Sequence, residues 1–152
     1  MPPGVRTVPR DRRVPKRIGR EEIERQLVSQ FKWAKEQIDF GVRDDFKCRY
    51  CGQGLLDSVD AFRGWTLDHI VPKSKLDETA REDPENIALA CWTCNIIKRQ
   101  WDPRTETPSR MREDLIQAVH KFVTGRRAHL DEDLQKQREL VAQLREIVRG
   151  KT

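Results

Sequence analysis

The spacing of apolar residues along the chain predicts three amphipathic helices around a short strand-rich centre. In each helical segment the apolar residues recur every three or four positions, so they line one face. Gly41 and Gly125 follow the first two patterns, and glycine commonly ends a helix. The predicted helices span residues 21–40, a segment that follows Pro108 and Ser109 and ends at Gly125, and residues 130–149, and we expect the first of them to pack on the central domain.

The last helical segment carries an interrupted coiled-coil pattern. Leu134, Val141, Leu144 and Val148 approximate a heptad seam, but Gln137 interrupts it and the pattern is short. This favours packing against the preceding helix of the same chain over pairing between two chains. The protein is therefore expected to be a monomer, with a dimer through the C-terminal helices as the weaker alternative.

The sequence predicts a strand, a loop, a second apolar run and a helix in the centre of the chain. Trp65–Val71 is rich in strand-forming side chains and ends at Pro72, which predicts a short strand carrying Asp68 and His69. A polar loop follows over residues 73–85, and the apolar run at 87–90 leads into a helix that begins with a cysteine pair. The predicted fold class is α+β, with flanking helices around a small central unit.

The positive charge of the protein is concentrated at its N-terminus. Residues 1–20 contain seven Lys or Arg and one acidic residue, so the remaining 132 residues have a net charge of −1 although the whole chain has +5. This segment is rich in proline and cannot bury enough apolar surface to offset the entropy cost of ordering. We expect a disordered basic arm suited to phosphate contacts, although a solvated segment without a partner fits the same composition.

The four cysteines form two C-x2-C pairs, Cys48 with Cys51 and Cys91 with Cys94. Two such pairs can bind one Zn²⁺ ion in a closed tetrahedral site, which has no open position for substrate. In a secreted chain the same residues could form two disulfides, but the N-terminus lacks the apolar stretch of a conventional export signal. The pattern therefore favours a structural zinc site, with disulfides or a redox pair as the alternatives.

Five ordered elements between about residues 46 and 99 resemble the HNH endonuclease family, which has the ββα-metal fold. They are the two cysteine pairs, the DHIVP segment at 68–72, the asparagine of PENIAL at 84–89, and the asparagine of CWTCNIIK at 91–98. Each element alone is weak, but the ordered set is specific. The resemblance implies a small zinc-stabilised ββα-metal core that hydrolyses DNA phosphodiester bonds.

The resemblance also implies roles for four residues. His69 would be the general base that takes a proton from the attacking water, while Asp68 and Asn95 would bind the catalytic divalent ion. Asn86 would hydrogen-bond to the backbone and fix the orientation of His69. Asn95 stands where the family has the histidine of its final letter, so the resemblance leaves the choice of catalytic metal open.

The chemistry of these side chains agrees with such roles. A neutral imidazole can accept a proton near pH 7, and phosphodiester hydrolysis also needs a cation beside the phosphate oxygens. Carboxylate and amide oxygens favour Mg²⁺ or Mn²⁺, so the catalytic ion should differ from the structural zinc. Neighbouring cations could contact DNA phosphates. The predicted set is Lys73, Lys75, Lys98 and Arg99.

The sequence thus predicts a metal-dependent DNA endonuclease that cuts one or both strands of double-stranded DNA. A zinc-stabilised nucleic-acid-binding module without catalysis is the alternative. No apolar run is long enough for a membrane span, and with no export signal this predicts a cytoplasmic protein. The predicted organisation is a flexible arm at 1–20, an HNH domain with its N-terminal helix at 21–104, and a C-terminal helical extension at 105–152.

Overall fold

The computed structural model describes residues 17–150, which belong to two units. The first unit ends at Ala34 and the second begins at Lys35. The predicted basic arm falls mainly on residues 1–16, outside the described residues. In the first unit, helix α1 (Arg20–Phe31) has no buried residue. The expected packing of this helix on the central domain stays a prediction.

The segment predicted as one helix over 21–40 contains two helices. Helix α1 ends because Lys32 adopts a left-handed conformation, with φ at 61°, and its amide closes the last turn on the carbonyl of Leu27. Helix α2 (Lys35–Arg43) then runs past Gly41, where a Cβ atom would collide with the ring of Phe46. The prediction of a single helix that stops near Gly41 was wrong, since this glycine lies inside α2 and lets the ring of Phe46 pack against the helix.

The second unit is built around a two-stranded antiparallel sheet. Strand β1 (Thr66–His69) pairs with β2 (Ile87–Ala90) so that Asp68 lies opposite Ala88 and His69 lies opposite Ile87. All four residues of β2 are buried, whereas those of β1 are half-buried, which leaves one strand partly accessible to solvent. The elements in chain order are α2, α3 (Val59–Gly64), β1 (Thr66–His69), α4 (Glu78–Arg81), β2 (Ile87–Ala90), α5 (Trp92–Lys98) and α6 (Arg112–Gly150). The predicted mixed α+β class is confirmed.

The C-terminal region forms one long helix instead of the two that the sequence predicted. Helix α6 runs without interruption through Gly125, whose cost of about 1 kcal/mol in a helix interior is tolerated here. The first half of α6 packs on the sheet and α5 through Ile116, Val119 and Val123, which are almost fully buried. Every residue from 128 to 150 is exposed. The expected packing of a third helix against the preceding one is therefore absent.

A buried carboxylate joins α2, β2 and α6. Asp44 is 2% exposed and accepts hydrogen bonds from Arg43, from Arg112 at 3.0 Å and from the amide of Leu89 at 3.1 Å. Burial alone would raise the pKa of Asp44, but these hydrogen bonds and the two guanidinium charges hold it below its ordinary value. Asp44 is therefore ionised at neutral pH and fixes α2 and α6 around the sheet.

No helix within residues 17–150 combines the length and the apolar character that crossing a membrane requires.

Candidate functional site

The four cysteines meet in one cluster. Their sulfur atoms all lie within 4.8 Å of one another, and those of Cys51 and Cys91 are 3.8 Å apart. The first pair sits in a tight turn that closes with a hydrogen bond from the amide of Gly52, at φ 80°, to the carbonyl of Cys48. The second pair starts α5, where the sulfur of Cys91 accepts the amide of Cys94.

This cluster can hold a zinc ion. All four residues are free thiols. A tetrahedral zinc with Zn–S bonds of about 2.3 Å places its sulfur ligands about 3.8 Å apart, which is the spacing that Cys51 and Cys91 show. Four thiolates leave no coordination position for a substrate, so such an ion would be structural.

Helix α6 contacts the cysteine cluster through two side chains that sequence reasoning did not assign to the site. The guanidinium of Arg127 donates to the sulfur of Cys91 at 3.5 Å and of Cys94 at 3.3 Å. One ring nitrogen of His120 lies 2.6 Å from the carbonyl oxygen of Tyr50, inside the first cysteine turn. His120 and Arg127 are seven residues apart and so share one face of α6, which is the only hint of this contact in the sequence.

Asp68 lies on β1 in a mostly enclosed position. Its carboxylate oxygen Oδ2 accepts the hydroxyl of Tyr50 at 2.6 Å and pairs with the ammonium of Lys98 at 3.0 Å. Only 11% of the side chain is exposed. Both contacts use Oδ2, so Oδ1 is the oxygen of this carboxylate that remains for a further ligand among the described residues.

The position of Lys98 corrects the prediction that it contacts DNA. Its side chain is buried, and its ammonium donates to the carbonyl of His69 at 2.7 Å in addition to pairing with Asp68. Helix α5 turns this lysine inward on the same side as Cys94, so the ammonium does not reach a phosphate at the surface. Lys98 instead holds α5 against β1 at the two predicted catalytic residues.

His69 is half-buried at the end of β1. Its Nε2 atom lies 3.2 Å from the carbonyl oxygen of Arg81, which sets the orientation of the ring. Burial is the main cause that lowers the pKa of His69, and the nearby charge of Lys73 lowers it further. The imidazole is therefore largely neutral at physiological pH and able to accept a proton.

Asn86 acts on the backbone that follows β1. Its side-chain oxygen accepts the amide of Val71 at 2.8 Å, and its side-chain nitrogen donates to the carbonyl of the same residue at 3.0 Å. Its own carbonyl accepts the amide of Ile70. Asn86 thus fixes the two residues after His69, while the direct contact with the ring comes from Arg81.

The remaining predicted residues lie around this arrangement. Asn95 is half-buried on α5 and stands one turn before Lys98, which places the two on the same side of the helix. Lys73, Lys75 and Arg99 are exposed. Asp68 and His69 are therefore consecutive on β1, Asn95 lies one turn from the lysine that contacts the carboxylate of the first and the backbone of the second, and three cations lie at the surface.

Residues 48–100 match the family model described as HNH endonuclease. The matched segment contains both cysteine pairs, both strands and α5, so the chain carries an HNH domain and the resemblance inferred from its motifs is confirmed. A comparison with curated proteins and another with solved structures gave no match. The HNH domain indicates a nuclease or nucleic-acid-binding function.

Proposed function

We propose that this protein is a metal-dependent endonuclease that hydrolyses DNA phosphodiester bonds, with His69 as its general base. The observation that carries the proposal is that three of the predicted site residues lie around Lys98. Its buried ammonium contacts both Asp68 and the backbone of His69, and it lies one helical turn from Asn95. These residues fall within the segment that matches the HNH family.

In this proposal His69 accepts the proton of the attacking water. Its lowered pKa keeps the ring neutral, and the carbonyl of Arg81 restricts its orientation. Asn86 supports that geometry because it holds the backbone of Val71, two residues further along the chain, at both its amide and its carbonyl. The proton acceptor is therefore positioned by two residues of the connection between β1 and β2, one at the end of α4 and one directly before β2.

Asp68 and Asn95 would hold the catalytic ion. Their donors are a carboxylate oxygen and an amide oxygen, a set that suits Mg²⁺ or Mn²⁺ with several waters retained. When bound, such an ion polarises the phosphate and stabilises the leaving oxygen. Tyr50 and Lys98 fix Asp68 through Oδ2, which leaves Oδ1 as the oxygen that would bind.

The exposed cations Lys73, Lys75 and Arg99 would bind the DNA backbone. Lys73 and Lys75 lie in the loop that follows β1, and Arg99 directly follows α5, so they flank the two elements that carry the proposed catalytic residues. Contacts with DNA phosphates are electrostatic and do not depend on the base sequence of the DNA. Binding through them should weaken steeply as the salt concentration rises.

The direct test is cleavage of supercoiled plasmid DNA with Mg²⁺ or Mn²⁺. We expect nicked or linear product from the parent protein and a loss of at least about a hundredfold in rate for His69→Ala, the scale of general-base catalysis. His129→Ala is the matched control, because His129 is an exposed histidine on α6. Zinc content and far-UV circular dichroism would show that each variant is folded. Equal cleavage by His69→Ala would refute the assignment of the base.

One observation favours a binding module without catalysis as the second candidate. Asp68 already has two internal partners, Tyr50 and Lys98, as a purely structural carboxylate would. Asp68→Asn separates the two functions. A nuclease would lose turnover in this variant while it retained most of its DNA affinity, whereas a binding module would show little change or lose binding alone.

A further inference from the structure

The second half of α6 has an apolar stripe that the other described residues of the second unit leave uncovered. All residues of the tail, residues 128–150, are exposed. Within the tail five apolar side chains recur at spacings of three, four and seven, and each is at least 43% exposed. We call these residues the tail seam. They are Leu130, Leu134, Val141, Leu144 and Val148.

The tail seam continues the face of α6 that is buried in the first half of the helix. The domain covers Ile116, Val119 and Val123, which are three and four residues apart. The same spacing, continued along the helix, leads through Arg127 to Leu130. The stripe therefore does not end where the domain ends. Most helical stability in proteins comes from packing of an amphipathic face, so a partner on this face would stabilise the tail.

The charge of the tail argues against nucleic acid or an anionic membrane as this partner. Residues 128–150 contain four Lys or Arg and five Asp or Glu, so the tail offers no net attraction to phosphate. A partner with a similar apolar seam and mixed charges fits better. A second copy of the same chain has both.

We propose that two copies of this chain associate through their tails as an antiparallel coiled coil. The orientation follows from the shared face of α6. A parallel partner helix would bring the second domain to the same level of α6 and onto the face that the first domain already covers, so the two domains would obstruct each other. An antiparallel partner places the two domains at opposite ends of the paired tails.

The antiparallel arrangement has a register in which all five residues of the tail seam are covered. Leu130 then faces Val148 of the second copy, Leu134 faces Leu144, and Gln137 faces Val141, with each pair occurring twice. In this register Asp131 lies beside Arg145 of the second copy at each end, and these two pairs of opposite charge outnumber the one like-charge pair that Arg138 forms with its own copy at the centre. A shift by one heptad in either direction leaves two residues of the tail seam without a partner in the other tail, which penalises shifted registers.

Light scattering coupled to size-exclusion chromatography tests the association on the full chain with zinc bound. At concentrations of tens of micromolar we expect twice the mass of one chain. The double variant Leu134→Glu/Leu144→Glu should raise the dissociation constant more than about a hundredfold and elute as a monomer. Ala142→Glu/Gln143→Glu is the matched control, since it adds the same number of acidic residues on the opposite side of the tail.

Helicity gives a second measurement on the parent protein. If the tail is stabilised by association, its far-UV helical signal should fall on dilution below the dissociation constant, while zinc stays bound. A monomer at all concentrations, or a dimer that survives Leu134→Glu/Leu144→Glu, would overturn the proposal. A monomer with full helicity would show that the tail needs no second copy.

Cross-linking tests the orientation. In a mixture of Leu130→Cys and Val148→Cys chains, mild oxidation should link residue 130 of one copy to residue 148 of the other. The parent protein provides the background from the native cysteines. A cross-link that forms equally well with Leu130→Cys alone would indicate parallel tails and overturn the antiparallel arrangement.

Discussion

The ion pair between Lys98 and Asp68 gives the sharpest prediction about the stability of the domain. Lys98 is 1% exposed, and its ammonium has two partners, Asp68 at 3.0 Å and the carbonyl of His69 at 2.7 Å. Lys98→Met keeps most of the apolar volume but leaves the carboxylate of Asp68 enclosed without its counter-charge. Breaking one side of a buried pair in this way costs about 3–5 kcal/mol.

A loss of that size is a large fraction of the total stability of a small domain, which is about 5–15 kcal/mol. Urea unfolding of the zinc-saturated protein, followed by circular dichroism, would show it as a decrease of about 1–3 M in the midpoint. Lys121→Met is the control, because Lys121 is an exposed lysine on α6 and its loss should change the free energy of unfolding by no more than about 0.5 kcal/mol.

A double-mutant cycle isolates the pair itself. Asp68→Asn removes the charge that Lys98 balances, so the double variant Asp68→Asn/Lys98→Met should be less destabilised than the sum of its two single variants. We expect a coupling of about 1–3 kcal/mol. If Lys98→Met were no more destabilising than Lys121→Met, or if the coupling were near zero, the account of Lys98 as the counter-charge of Asp68 would be wrong.

Three further predictions concern contacts around the sheet and the cysteine cluster. Arg127→Met should weaken zinc retention by about tenfold in competition with a coloured chelator, because two thiolates lose a hydrogen-bond donor, while Arg126→Met, at an exposed position, should not. Asn86→Ala should lower the cleavage rate more than DNA affinity, since it frees the backbone of Val71 beyond His69; equal losses in both would refute this. The pKa of Asp44 is lowered in the folded protein, so its contribution to the free energy of unfolding is complete above about pH 4 and disappears as the pH falls through that lowered pKa. Urea midpoints measured between pH 2.5 and 7 should therefore depend less on pH in Asp44→Asn than in the parent protein.

The sequence was sufficient to predict the centre of the fold because its constraints are local and chemical. Two C-x2-C pairs can satisfy one tetrahedral ion only by coming together, and the structure shows them within 4.8 Å. The strand that ends near Pro72 was equally well marked, and it carries Asp68 and His69 as predicted. In both places the local residue types are enough to predict the geometry, and contacts with distant parts of the chain add little.

The helix boundaries could not be predicted in the same way. The end of α1 at Lys32 has neither glycine nor proline to mark it, and the left-handed conformation there costs only about 1–2 kcal/mol. Gly125 looks like a helix end, but α6 continues because residues on both sides, Val123 and Arg127, have partners in the domain. Tertiary contacts decided the case of α6 and a local backbone conformation that of α1, and neither is visible in the apolar pattern.

The role of Lys98 was also beyond sequence reasoning. A lysine on a short helix of a basic protein is usually solvated, which made a phosphate contact the natural expectation. Its actual partner, Asp68, lies 30 residues earlier in the chain. Only the pairing of β1 with β2, and the packing of α5 on β1, bring the two charges together.

Helix α5 links the cysteine cluster to the proposed catalytic residues, and this leads to a prediction for zinc removal. The helix has only seven residues, too few to be stable by itself, and it is held at its start by Cys91 and Cys94 and at its end by Lys98. A chelator selective for zinc should therefore abolish DNA cleavage even at saturating Mg²⁺, and the loss should follow the loss of folded structure seen by circular dichroism. Restoring Zn²⁺ should recover both, whereas adding Mg²⁺ alone should recover neither. If a zinc-free protein kept its fold and its cleavage activity, the cysteine cluster would have no part in positioning α5.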